Sequence, residues 1–247
     1  MRAHCSLLIG AAGPACVAVK PQLACFERLG APGWSALAGV VEDAHAADLL
    51  VVADGKRGDV AVSAAAYSQA LTGVTPTPFG EVAGLGVDAL TANPLLGRDA
   101  LEPLVDGARR VGAGVFALVR TSNPGAADIE DLELAGGGPV WERLARLVAE
   151  LGRMGSGGLS DVGAVVGATV PSHLARMREL MPNAVFLLPG VGAQGGRVED
   201  LGPAFSPGRA GGLVSASRTI AEALSLRGPA GARAVAEGLR ESAWRLA

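Results

Sequence analysis

Asp54-Gly55-Lys56-Arg57-Gly58-Asp59 places four charged side chains within six residues, directly after the apolar run Leu49-Leu50-Val51-Val52-Ala53. If that run is a buried strand, Asp54 and Lys56 leave its end on the same side, because side-chain direction along a strand repeats every two residues. A carboxylate and an ammonium in such a place cost desolvation unless they are paired or functional. The segment is therefore either a salt-bridged strand end or a catalytic dyad.

Other strand ends carry matching groups. Lys20 follows the apolar run Cys16-Val17-Ala18-Val19, and Arg218 follows Gly212-Leu213-Val214-Ser215. Asp59 lies just beyond the dyad, in a loop or first helical turn. Lys20, Asp54, Lys56 and Asp59 form an alternating series in which each ammonium can keep its neighbouring carboxylate ionised. The same series could serve only as an ion-pair network, although charges gathered at one rim cost desolvation that a fold does not require. A second group suggests an anion site. Pro189-Gly190-Val191-Gly192-Ala193-Gln194-Gly195-Gly196 offers backbone that can approach a phosphate closely. Ser217-Arg218-Thr219 adds a guanidinium able to grip it with two parallel hydrogen bonds. Ser122 and Asn123, after the run Val115-Phe116-Ala117-Leu118-Val119, could bond a heterocycle or carbonyl, though Ser-Asn-Pro is also an ordinary turn.

The elements that must hold these groups repeat along the chain. Seven short apolar runs end in polar or Gly/Pro clusters: Cys16–Val19, Leu49–Ala53, Val87–Thr91, Val115–Val119, Val162–Val166, Val185–Leu188 and Gly212–Ser215. They read as buried parallel strands. Helical patterns lie between them: Trp141–Leu151 with Trp141, Leu144, Leu147, Val148 and Leu151 on one face, Pro171–Leu180, and a closing helix over Pro229–Ala247. His4–Ala12 reads as a helix leading into the first run. The spacing is on the order of 30 residues, the size of a βαβ unit, and no linker divides the chain. The fold class is α/β, a (β/α)8 barrel with seven strands visible, the polar groups gathered at the C-terminal strand ends where such barrels carry their sites. A doubly wound sheet is the competitor, but no Gly-rich turn follows the first strand.

Composition narrows the function. Hydrophobic residues make up 49% of the 247 and charged residues 18%, with a net charge of -3. That balance describes a soluble protein with a sizeable core, and the absence of a basic stretch argues against nucleic-acid binding. Cys5, Cys16 and Cys25 form no Cys-x-x-Cys pair and read as reduced thiols in the cytoplasm. His4, His45 and His173 are widely separated and offer no zinc site, and His173 reads as a surface helix residue. The apolar stretch after Met1-Arg2 is broken by Gly10 and Gly13, and no stretch reaches the roughly 18 apolar residues that span a bilayer.

Taken in order, Val19-Lys20-Pro21-Gln22, Asp54 to Asp59, Thr121-Ser122-Asn123-Pro124, Pro189 to Gly196 and Ser217-Arg218 closely resemble orotidine 5'-phosphate decarboxylase in the variant common among actinobacteria. The resemblance covers essentially the whole chain. It implies a homodimeric (β/α)8 barrel in the cytoplasm that converts orotidine 5'-phosphate to uridine 5'-phosphate with no metal or organic cofactor. By motif position Lys20, Asp54, Lys56 and Asp59 would form the charged network. Lys56 would protonate the C6 carbanion, and Asp59 would reach into the partner subunit's site. Gln194, Gly195 and Arg218 would hold the phosphate, and Ser122 would contact the pyrimidine.

Family members begin with a strand ending in Gly-x-Asp-Pro, which has no counterpart here. The resemblance therefore implies a single barrel domain over residues 1–247 that starts one βα unit late. Such a chain is expected to be less stable and much less active than one carrying that unit, because two strand edges are left unpaired. Two other functions fit the same residues: a magnesium-dependent sugar-phosphate decarboxylase or aldolase, disfavoured by the cation Lys20 beside Asp54, and a non-catalytic binder of phosphate ligands.

Overall fold

The computed structural model describes residues 1–206 and 208–246. The chain divides into two compact units: residues 1–115 with 217–240, and residues 116–216 with 241–247.

The first unit opens with helix α1 (Arg2–Ala12), followed by strand β1 (Ala18–Val19), helices α2 (Leu23–Glu27) and α3 (Ala31–His45), and strand β2 (Leu50–Arg57). After helix α4 (Ala61–Leu71) come a hairpin of β3 (Val74–Thr77) and β4 (Gly80–Ala83), strand β5 (Ala89–Ala92) and helix α5 (Arg98–Arg110). β1, β2 and β5 pair in parallel in that order. Val51, Ala53, Leu90 and Ala92 are fully buried, as expected of parallel strands covered on both faces. Withdrawing each such Val or Leu from water contributes about 1.5–3 kcal/mol.

α1 is tied to α3 by charge and close packing. The Arg2 guanidinium donates to both carboxylate oxygens of Asp43, at 3.1 and 2.7 Å, and Ser6 Oγ donates to the same group. Gly39 leaves room for this contact, since a Cβ there would lie 2.3 Å from Arg2 Nη1. On its other side α1 packs Ala11 and Ala12 against Leu224, Ala232 and Ala236 of the closing helix α8 (Arg218–Trp244). α8 is two helices joined at a kink: Gly228 takes φ +66°, and Pro229 opens the second segment, a position proline suits. The expected closing helix is this second segment. Ala247, its expected last residue, lies outside the described residues.

The hairpin was not expected from the sequence. Val74-Thr75-Pro76-Thr77-Pro78-Phe79-Gly80 carries two prolines and belongs to none of the seven apolar runs. Thr77 Oγ1 donates to the Gly80 carbonyl at 2.6 Å and accepts the Phe79 N–H at 3.2 Å, while Gly80 takes φ +114°. Side-chain bonds and a glycine thus close a turn that proline-poor signals usually mark.

The second unit contains the rest of β6 (Gly114–Arg120), helix α6 (Val140–Leu151), strand β7 (Val162–Val166), helix α7 (Leu174–Leu180), β8 (Phe186–Pro189) and β9 (Gly212–Ser215). Its strands run β6-β7-β8-β9. Trp141, Leu147, Val148 and Leu151 are buried from one face of α6, as the periodicity indicates. Arg178, read from sequence only as part of a helical pattern, is buried. It donates to the carbonyls of Met181, Ala184, Ala204 and Gly211 and lies 3.8 Å from the centre of the Phe186 ring. Burial pushes it down to about 10, so it stays charged at neutral pH and braces the long β8–β9 connection. His173 is not a free surface residue. It sits in a 3-10 turn ahead of α7 and stacks on Trp141, ring centres 5.1 Å apart.

Candidate active site

The end of β2 is irregular where its charges lie. Ala53 pairs with Leu90 and Arg57 with Ala92, so β2 spends two more residues than β5 between these points. Such a bulge re-aims side chains. Lys56 sits within it at φ +48°, a backbone region that non-glycine residues rarely occupy and that is costly enough to demand local support. Gly55 and Gly58 permit the path: a Cβ on Gly55 would lie 2.6 Å from Leu23 Cδ1, and one on Gly58 2.6 Å from the Asn93 carbonyl oxygen.

The bulge folds the charges onto one carboxylate. Lys20 Nζ lies 2.5 Å from Asp54 Oδ2, and Lys56 Nζ lies 2.6 Å from Asp54 Oδ1. Asp54 is 7% exposed. Two neutral donors complete its shell. Thr91 Oγ1 donates to Oδ1 at 3.0 Å. With its amide oriented to satisfy both atoms, the Gln22 nitrogen lies 3.0 Å from Oδ2 and 2.7 Å from the Asp54 carbonyl oxygen. Burial acts to raise the Asp54 carboxyl, but the charges and hydrogen bonds of Lys20 and Lys56 outweigh it and hold the group below its ordinary value. The result is a carboxylate ionised at neutral pH and clamped between two ammonium groups.

The expected series of four charges is three long within this chain. Asp59 follows Gly58 beyond the end of β2, and its Oδ1 accepts the N–H of Val60 at 2.7 Å, just ahead of α4. Among the described residues it pairs with no lysine or arginine. The neighbouring Arg57 turns instead to Glu27, with which it forms an ion pair, and to the Tyr67 ring.

The second unit holds a cavity of about 560 Å³ whose lining includes Arg120, Ser122, Asn123, Thr169 and Gln194. Ser122 and Gln194, singled out 72 residues apart in sequence, therefore share one hollow. Ser122 is pinned from several directions. Its carbonyl accepts Thr169 Oγ1 at 3.1 Å, and the Thr121 N–H donates to Glu130 at 2.8 Å. A Cβ on Gly167 would lie 2.8 Å from Ser122 Cα. Arg120 is buried, donates to Thr121 O at 2.6 Å and is held by both Asp131 oxygens at 2.8 and 2.9 Å. Its guanidinium keeps the Asp131 carboxyl below the usual range.

The glycine loop after β8 forms as expected but uses its amides differently. Gly190, Gly192 and Gly195 take φ +105°, +78° and +90°. The N–H groups of Gly192, Gly195 and Gly196 close the loop on Gly196 O, Gly192 O and Gly190 O. Those of Ala193 and Gln194 have no partner among the described residues and stand as the loop's open donors. Gly195 thus supplies a turn rather than a donor. Arg218 belongs to the first unit, where it is the exposed first residue of α8 and not the end of β9; a helix N-terminus is itself favourable for an anion. Among the described residues, no group of three or more His, Cys, Asp or Glu side chains is placed to hold a metal ion.

Thr91, Gln22, Arg120 and Thr169 were not assigned roles from sequence. Gln22 and Thr91 had visible signals: Gln22 lies two residues after Lys20 on the same strand end, and Thr91 is the hydroxyl that finishes an apolar run. Nothing in the spacing pairs Arg120 with Asp131.

Residues 3–230 match the model of the orotidine 5'-phosphate decarboxylase / HUMPS family. A Deinococcus radiodurans protein named orotidine 5'-phosphate decarboxylase is 47% identical over 89% of this chain and 76% of its own length. One of the same name from Rhodopirellula baltica is 42% identical over 87% of this chain and 71% of its own. The chain belongs to the orotidine 5'-phosphate decarboxylase / HUMPS family. Among solved structures, Leishmania donovani UMP synthase superposes with a TM-score of 0.78 at 34% identity over 98% of this chain. The chain spans about half (49%) of that synthase. The fold class is the (β/α)8 barrel, with seven parallel strands present among the described residues.

Proposed function

We propose that this chain converts orotidine 5'-phosphate to uridine 5'-phosphate and CO2. The observation that carries this reading is Asp54 held between Lys20 and Lys56 at a strand end, in a chain whose relatives bear the decarboxylase name. Breaking the bond from C6 to the carboxylate leaves the electron pair on C6, where no ring position can absorb it, so stabilisation is electrostatic. The Lys56 ammonium faces that charge and then gives C6 its proton, leaving an amine that solvent reprotonates. Asp54 lies against the departing carboxylate and holds both lysines in place. Ser122 contacts the pyrimidine. Gln194 and Arg218 hold the phosphate, Gly195 serving only to turn the loop, and the phosphate's binding energy acts on the distant reacting carbon. No cofactor takes part. The relatives give no support to the magnesium-dependent alternative or the non-catalytic one. Incubation with orotidine 5'-phosphate is expected to bleach its ultraviolet absorbance with release of CO2, at a rate unchanged by a chelator. Binding without bleaching would select the non-catalytic alternative.

The working form we propose is a cytoplasmic homodimer in which Asp59 completes the partner's charged network. Three features support it: Asp59 has no cationic partner among the described residues, Val60 and Val62 beside it are 62% and 84% exposed, and no helix among the described residues is long and apolar enough to cross a membrane. Mixing the inactive variants Lys56→Ala and Asp59→Ala is expected to restore up to about a quarter of wild-type activity, because subunit exchange rebuilds one intact site in each mixed dimer. Inactivity after demonstrated exchange would place Asp59 in its own chain's site.

A further inference from the structure

Lys56 carries the proposed proton, yet its backbone takes the left-handed conformation at φ +48°. Something must hold it there, since a side chain pays for that conformation in strain. The structure assigns this task to Thr91: we infer that its hydroxyl is a positioning residue that couples the Lys56 backbone to the Asp54 carboxylate. The inference rests on the decarboxylase reading above.

Three observations carry it. Thr91 is 1% exposed, so water cannot replace its bonds. Its Oγ1 accepts the Lys56 N–H at 2.8 Å. The same oxygen donates its single proton to Asp54 Oδ1 at 3.0 Å, the oxygen that also receives Lys56 Nζ at 2.6 Å. One hydroxyl therefore closes a ring: Lys56 main chain to Thr91, Thr91 to Asp54, and Asp54 back to the Lys56 ammonium. The direction of the bonds is fixed, because an amide N–H can only donate and an ionised carboxylate can only accept. Thr91 stands on β5, across the bulge from Lys56, so the ring also clamps the irregular end of β2 to its regular neighbour. Loss of the hydroxyl would leave the bulge intact as chain but free to relax, and the Nζ would be displaced from where it meets C6. A displacement of about 1 Å at a reacting group can cost about a hundredfold in rate.

The test compares Thr91→Val, which keeps shape and removes the hydroxyl, with Thr91→Ser, which keeps the hydroxyl. Thr91→Val is expected to lower kcat about 30- to 100-fold while KM changes less than about threefold. Thr91→Ser is expected to stay within about threefold of wild type on both. Hydrogen exchange of the Lys56 amide should rise at least about tenfold in Thr91→Val and remain slow in Thr91→Ser, since exchange reports loss of that bond. This readout needs no turnover. A wild-type protein that releases no CO2 would sink the decarboxylase reading while the exchange result still judges Thr91. An active wild type with an equally active Thr91→Val, or a serine variant as impaired as the valine one, overturns the inference. If Thr91→Val does not fold, Thr91→Cys takes its place, matching the serine variant in branching but with a weaker hydrogen-bonding group; its retaining both full kcat and slow exchange would be equally fatal.

Discussion

Replacing Lys56 by Ala is expected to lower kcat for decarboxylation by about 10⁴-fold or more, since one ammonium serves as both general acid and electrostatic stabiliser. The two lysines on Asp54 differ in access. The Lys56 side chain is 42% exposed and that of Lys20 23%. Lys56 is thus the one able to meet a ligand arriving from solvent, while Lys20 is better covered and fixes the carboxylate. Lys56→Arg separates charge from proton delivery. A guanidinium keeps the positive charge, but it holds its proton too tightly to be a useful acid at neutral pH, and its planar fork does not fit a site shaped for one ammonium. Its loss is expected to approach that of Ala. Neither change should upset folding, because the Lys56 end of the pair is 42% exposed and Asp54 keeps its bond to Lys20, so the loss is about 1 kcal/mol or less. Single-turnover rates measured beside thermal melts check both claims. A residual rate within tenfold of wild type in Lys56→Ala would remove this lysine from the chemistry.

How much of this arrangement the sequence discloses depends on the range of the interaction. The strands are short apolar runs closed by polar residues, a local signal, and Val162–Val166 and Gly212–Ser215 coincide with β7 and β9. The Asp54–Lys56 pair is also local, two residues apart. Its partner Lys20 could be anticipated because parallel neighbours end at the same rim. The bulge is different. Period-two reasoning puts Asp54 and Lys56 on one side by simple alternation, whereas the structure achieves it with two extra residues and a left-handed Lys56. No pattern in the sequence announces that insertion, because its support comes from Thr91, 35 residues away. Arg120 held by Asp131 and Arg178 ringed by carbonyls are hidden for the same reason. A lone arginine in a helical or strand pattern reads as surface charge until the loops that cover it are in place. The β3–β4 hairpin was obscured by its prolines, which edge positions in a two-stranded ribbon tolerate.

Asp54→Asn is expected to destabilise the folded state at neutral pH by about 2–4 kcal/mol, somewhat below the full cost of breaking a buried pair because Lys56 remains partly solvated. The amide can still accept from Thr91 but cannot neutralise two ammonium groups that converge on it, so Lys20 and Lys56 are left to repel across a buried position. The pH dependence identifies the carboxylate as the cause. In the folded state Asp54 is held below its ordinary value, so the unfolded chain binds its proton more readily. The stability it contributes is complete above the unfolded value, about pH 4, and is lost as pH falls through the lower folded value. The gap between wild type and Asp54→Asn should therefore be constant from about pH 7 to 5 and narrow steadily below about pH 4. Asp43 is also depressed, to about 2, by its hydrogen bonds from Arg2 and Ser6. It titrates alike in both proteins and cancels in the difference. Denaturant unfolding of the two proteins at matched pH values measures the gap directly. A gap that stays the same down to about pH 2 would mean that the asparagine acts through packing and that Asp54 carries no linkage of its own.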